Sequence, residues 1–211
     1  PLSAAFNTLS SGTEFHRKND RRVASEKASR RWRAGWCGSG WKVWGRNSVF
    51  VIAGNHEVYA GWNEVRPRLE ALRITLLVND GRVVEHRGVS LAIVGTGDPA
   101  AGHRAAPGLP APDLDASLAS VPAGMFTIML AHNPSLWTLL AAAGVPLTLS
   151  GHTHWGQFAV PRAGWSLANP FLKLAMGPYA RGESLLYVHP GTGYWGIPFR
   201  VGARPEVAIL T

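Results

Sequence analysis

Cysteine is nearly absent: Cys37 is the only one among 211 residues. That excludes an internal disulfide and a thiolate cluster for zinc. Acidic residues are scarce, 13 against 21 Lys and Arg. No run of eighteen apolar residues occurs, so no segment reads as a membrane span. The first residues, PLSAAFNTLSSG, have neither an initiator Met nor the basic start and apolar core of a signal peptide. What remains is ordinary for a soluble globular chain, with 46% hydrophobic and 16% charged residues and enough length for one sizeable core.

The net charge of +8 is unevenly placed. Residues 1–48 carry ten Lys and Arg against Glu14, Asp20 and Glu26, a net of +7. The remaining 163 residues are therefore close to neutral, and the basicity belongs to the first segment alone. That segment also holds Trp32, Trp36, Trp41 and Trp44 among Arg, Gly and Ser, with no clean period. Its composition suits a solvated tail; the competing expectation is a module that stacks on single-stranded nucleic acid or sits on an anionic membrane surface. Residues 1–47 are expected as a basic segment apart, and 48–211 as the folded domain. The Gly35–Gly45 stretch has no Gly-Lys-Ser/Thr and follows no clear strand, so it is no phosphate loop.

From Ser48 the texture changes to short β-branched runs and amphipathic stretches. SVFVIAG (48–54) reads as a buried strand ended by Gly. Val65, Leu69 and Leu72 have the spacing of one helical face over 62–73. ITLLV (74–78) and RVVEH (82–86) flank Asn79-Asp80-Gly81, a strong hairpin signal. Further strands are expected at 89–95, 126–132, 146–152, 184–190 and 206–210. Helices are expected at 113–121, capped by Asp113 or Asp115, and at 134–144. Residues 99–112 read as a loop, and Asp98 as a cap or turn residue. Strands mixed with helices describe a layered α/β domain.

Polar groups cluster where strands end. Gly54-Asn55-His56-Glu57, Ala131-His132-Asn133 and Gly151-His152-Thr153-His154 each follow a predicted strand. Strand ends are where α/β folds hold ligands. Imidazole nitrogen is the commonest side-chain ligand of the borderline metals, and an Asn carbonyl adds a hard oxygen. Singly, the first two segments read as ordinary turns, and Gly-His-Thr-His is the stronger signal because two closely spaced His after Gly have few structural reasons; three in this order point to a metal site.

These three segments resemble the third, fourth and fifth motifs of the calcineurin-like metallophosphoesterases. The tail YVHPGTGYWGIPFRVGARPEVAIL (187–210) is similar to the end of a bacterial subgroup, the YaeI/YkuE-like phosphodiesterases often found at the membrane. The resemblance covers about residues 48–211. It implies a four-layer α/β/β/α sandwich, incomplete here at the N-terminus, with two divalent ions (Mn, Fe, Zn or Mg) between the sheet ends. It further implies that Asn55, His132 and His152 bind one ion and His154 the other. His56 would be catalytic, stabilising phosphoryl charge or protonating the leaving oxygen. Glu57 would support the turn. The implied reaction is hydrolysis of a phosphomonoester, phosphodiester or pyrophosphate by a metal-activated hydroxide. The substrate would be a phosphate ester, a lipid-linked one being suggested by the subgroup. The apolar stretch 168–176 with Trp155, Trp165 and Trp195 could shape its pocket. Location would be cytoplasmic or peripheral at the inner membrane.

The family's Asp-x-His and Gly-Asp-x-x-Asp motifs are missing from residues 1–53, where Asp20 is the sole Asp and follows Asn. The carried-over ligands are therefore all neutral, and hard cations would bind weakly. The first metal site keeps only His154. A catalytically impaired fragment or pseudoenzyme is the competing expectation. The abrupt change near Ser48 suggests an out-of-frame start joined to a genuine remainder. Translating the encoding DNA in the other two frames should then reveal Gly-Asp-x-x-Asp upstream of Gly54; its absence from both would refute that origin.

Overall fold

The computed structural model describes residues 49–210 except 73, 87 and 104–107. Residues 49–207 lie in one compact unit. The expected basic segment 1–47 lies outside the described residues.

The largest element is a six-stranded mixed sheet in the order β3-β4-β5-β6-β10-β9, comprising β3 (Asp80–His86), β4 (Val89–Gly95), β5 (Thr127–Leu130), β6 (Leu147–Ser150), β9 (Gly177–Arg181) and β10 (Ser184–Val188). Strands β4, β5, β6 and β10 run parallel to one another, and β3 and β9 close the two edges antiparallel. A second, two-stranded parallel sheet pairs β1 (Phe50–Val51) with β2 (Thr75–Leu76), and β7 (Ala159–Val160) and β8 (Trp165–Ser166) make a small antiparallel ribbon. The mixed α/β class is as expected from the sequence. Of the sandwich's two sheets, one is six-stranded and the other is this two-stranded pair.

The helices are short. They are α1 (Asn55–Ala60), α2 (Trp62–Ala71), α3 (Ala100–His103), α4 (Leu114–Ala119) and α5 (Trp137–Ala142). Asp113 caps α4, its carboxylate accepting the Ala116 N–H at 2.8 Å. One face of the large sheet buries Ala92, Val94, Met129 and Ala131 against Leu136, Leu140 and Val145, with Leu114 and Leu118 of α4 packed alongside. Between the two sheets Gly95 is obligatory. A Cβ there would lie 2.5 Å from Leu77 Cβ and 2.7 Å from Ile52 Cγ2, closer than carbon atoms can approach.

Several expectations are corrected. The hairpin across Asn79-Asp80-Gly81 does not form: β2 pairs with β1 in the small sheet, while β3 turns through Gly88 to pair with β4. Asn79 supplies the reason. It sits at φ 51°, and its side-chain oxygen accepts N–H bonds from Gly97 at 2.8 Å and Asp113 at 3.1 Å, while its amide donates to the Ala111 carbonyl at 2.8 Å. Its left-handed turn carries the chain between sheets and fastens two loops, instead of folding a strand back on itself. The strand expected at 206–210 is absent; residues 204–210 pair with no strand, and Val207 is 80% exposed. The loop expected at 99–112 contains α3, and the long loop after residue 152 contains β7, β8 and β9. Leu72, placed on the buried face of α2, is 63% exposed, and Trp62 is the helix's buried anchor instead.

Leu140 is wholly buried in the main core. Leu140→Ala should destabilise the fold by about 2–5 kcal/mol, seen as a lower urea midpoint at unchanged slope.

Candidate metal centre

The parallel register aligns the C-terminal ends of four strands. Asp98 follows β4, His132 follows β5, His152 and His154 follow β6, and His189 follows β10. The ladder continues past the strands and fixes their tips: Gly151 N–H donates to the His132 carbonyl at 3.0 Å and His189 N–H to the Ser150 carbonyl at 2.7 Å. Asn55 arrives from β1 as the first residue of α1. Glu57 braces this turn as the sequence suggested, its Oε2 accepting the Gly54 N–H at 2.8 Å, which is half of a capping box. Gly54 has no substitute, because an added Cβ would sit 2.8 Å from the His132 ring.

The structure brings Asn55, His132 and His152 together. Asn55 Oδ1 lies 2.9 Å from His132 Nε2 and 3.1 Å from His152 Nδ1, with the two rings edge to face and 5.2 Å between centroids. In one protonation state both rings donate to the Asn carbonyl. In the other, three lone pairs converge. Neighbouring ligands of an octahedral ion with bonds of about 2.1 Å lie about 3.0 Å apart, so the spacing also fits a cation at that focus.

His154 is carried on a strained turn. His154, Trp155, Gly156 and Gln157 have φ of 50°, 48°, 63° and 62°, and His152 has 67°. Each non-Gly residue in this region costs roughly 1–2 kcal/mol. Packing supports the strain: Trp155 is buried with Ala168, Ala175 and Ala203, and Thr153 Oγ1 donates to the Ala175 carbonyl at 2.6 Å. Arg200 donates to the His154 carbonyl at 3.0 Å. The Nδ1 atom of His154 is buried without a hydrogen-bond partner. His56, next to Asn55 on α1, faces solvent, 6.0 Å ring to ring from Tyr59.

The histidines sense one another. Burial, then the charges of His152, His56 and His154, push His132 down to about 4. Burial also lowers His152 and His154, and His56 contributes to both. Neutral imidazoles are the form that can ligate a metal. The assembly is nonetheless incomplete: among the described residues, no three His, Cys, Asp or Glu side chains group closely enough to hold an ion. Asn55 is the third donor, and all three are uncharged.

Sequence reasoning gave Asp98 only a turn role, which it does perform, accepting the Ala100 N–H at 2.8 Å. It missed that Asp98 shares a cavity of about 410 Å³ with Asn55, Tyr59, Asn133, Ser135 and His152. The strand-end Gly-x-Gly-Asp was the available signal. His189 was also passed over; its Nδ1 accepts the Gly191 N–H at 2.9 Å.

An uncharacterized metallophosphoesterase of Helicobacter pylori (strain J99) is 36% identical over 166 residues, which are 78% of this chain and 42% of that protein. Phosphodiesterase YaeI of Escherichia coli (strain K12) is 32% identical over 171 residues, 77% of this chain and 57% of that protein. These likenesses, at 32–36% identity, support a calcineurin-like metallophosphoesterase group for the chain. A Bos taurus transmembrane protein with metallophosphoesterase domain is 32% identical over 180 residues, 78% of this chain and 38% of that protein. No family model matches the chain. The chain therefore spans 38–57% of the length of these relatives.

The depressed His132 value has a stability consequence. The folded value lies below the ordinary 6.5, so its contribution is complete above pH 6.5 and is lost as pH falls toward about 4. The shift corresponds to at most on the order of 3 kcal/mol. Urea midpoints should fall across this window, and His132→Asn should flatten the fall; a flat wild-type profile would contradict the burial of a neutral His132.

Proposed function

We propose that this chain is the C-terminal part of a metal-dependent phosphoesterase, in which Asn55, His132 and His152 hold one divalent ion and His154 faces a second. The observation that carries this reading is the convergence of both imidazoles on Asn55 Oδ1, from three separate strand ends. A divalent ion bound there supplies Lewis-acid activation of a phosphate ester. The chain's own residues do the rest. His132 and His152 are held neutral and aimed by the strand register and by Gly54. His56, solvent-facing beside Asn55, donates a proton or hydrogen bond to the departing oxygen.

The neutral donor set favours one borderline ion over Mg²⁺. The second ion has only His154 from this chain, which supports the alternative that the chain as it stands is a catalytically impaired member of its family. The wider substrate proposal is a phosphodiester or pyrophosphate with a lipid portion. Trp165, Phe171, Tyr194, Trp195 and Phe199 all expose about half or more of their surface, apolar area that supports binding an acyl chain or peripheral contact with the inner membrane. No helix among the described residues is long and apolar enough to cross a membrane. The nucleic-acid alternative concerns residues 1–47, outside the described residues.

Metal content and Mn²⁺-dependent hydrolysis of a chromogenic phosphodiester, compared between the chain and His152→Ala, test the reading. The expected outcome is one ion per chain, lost in the variant together with any activity. Activity that survives in the variant would refute the assigned ligands, whereas a bound ion without turnover would establish the impaired form.

A further inference from the structure

Arg200 is a partly buried cation that no carboxylate among the described residues pairs with. Near a centre for phosphate esters, such a guanidinium invites one reading, a grip on the substrate. Its hydrogen bonds point elsewhere. Nη2 donates to the His154 carbonyl at 3.0 Å and to the Pro190 carbonyl at 2.7 Å. Nη1 donates to the Gly193 carbonyl at 2.6 Å, and Nε to the Ala203 carbonyl at 2.5 Å. A guanidinium has five N–H donors, and four of these are spent on main chain. The one left, on Nη1, cannot make the two parallel bonds by which arginine holds a phosphate.

The four carbonyls belong to three stretches. His154 lies on the left-handed turn after β6, Pro190 and Gly193 on the chain leaving β10, and Ala203 beyond both. Because the fork is planar and rigid, it sets these carbonyls relative to one another. The His154 ring is seated in the same place. A Cβ built on Gly191 would lie 3.8 Å from His154 Nδ1, 3.9 Å from its Cε1 and 3.7 Å from Arg200 Nη1. The Nδ1 edge of the ring therefore rests against Gly191, within the 190–193 stretch that Arg200 holds. Of the two ring nitrogens only Nδ1 is sealed without a partner, and Nε2 is the one left to a ligand.

We propose that Arg200 is the positioning residue of His154: it ties the His154 carbonyl to the stretch leaving β10, seats the ring on Gly191, and so presents Nε2 to the ion that His154 faces. Arg200 acts on the substrate only through this histidine. The ligand role of Nε2 rests on the metal reading above; the seating of the ring does not.

The test uses the whole chain, Arg200→Lys, His154→Ala and the double variant. Lysine keeps the charge but donates from a single point, so it cannot span the four carbonyls. Proton NMR of the metal-free chain should show a nuclear Overhauser contact between the His154 ring and the Gly191 α-protons, lost in Arg200→Lys. In a Zn²⁺ titration followed on the histidine rings, His154 should respond about 10–100-fold more weakly in that variant, while His132 and His152 respond as in the parent. Inorganic phosphate should bind the Zn²⁺-loaded double variant no more weakly than it binds loaded His154→Ala. An unchanged ring contact in Arg200→Lys would overturn the proposal. Equal weakening at all three histidines with a lowered thermal midpoint would overturn it too, making Arg200 a general brace of the fold. A further loss of phosphate affinity in the double variant would do the same and make Arg200 a substrate grip. A parent chain whose His132 and His152 ignore Zn²⁺ would overturn the metal reading, and with it the ligand role of Nε2, whatever the ring contact shows.

Discussion

The parallel register of β4, β5, β6 and β10 is the constraint from which the site follows. Level pairing, Gly95 opposite Leu130 and Leu130 opposite Leu149, makes adjacent strands stop together. The polar residues just beyond them then have one crevice to enter. Asn55 joins from the other sheet, and it can do so because Gly95 lets Ile52 and Leu77 close onto β4. Site geometry and core packing are one arrangement here: the glycine that brings the sheets into contact also sets how far Asn55 reaches toward His132.

Those features that depend on local sequence were legible in advance. Strands ending in Gly-Asn-His, Ala-His and Gly-His-Thr-His gave the convergence of Asn55, His132 and His152, and Asp113 was a readable cap. Features set by distant contacts were not. Asn79-Asp80-Gly81 carries the chemistry of a hairpin turn, yet the chain there is captured by loops at Gly97 and Asp113 that no local window contains. The left-handed run at 154–157 is likewise invisible, since only Gly156 invites it and the support comes from Trp155 burial and Arg200. Asp98 looked like a turn residue because one of its oxygens is one.

Electrostatically the centre is a set of neutral donors in a partly dry pocket. Burial and mutual repulsion keep the imidazoles unprotonated, which readies them as ligands, but leaves the charge of a cation unbalanced by anything in direct contact. The likeness to metallophosphoesterases and the lack of anionic donors at Asn55, His132 and His152 therefore stand side by side.

Arg200 donates to the carbonyls of His154, Pro190, Gly193 and Ala203, tying the strained turn to the last stretch of the chain. Protein synthesis proceeds from the N-terminus, so His132 and His152 leave the ribosome well before the guanidinium that steadies their neighbour. The nascent chain can pair β1 with β2 and build the large sheet from β3 to β6 with the His154 loop still relaxed. β10 and Arg200 complete it last. The turn that carries His154 is thereby steadied only after Arg200 has been made, an ordering written into the fold by the position of one arginine.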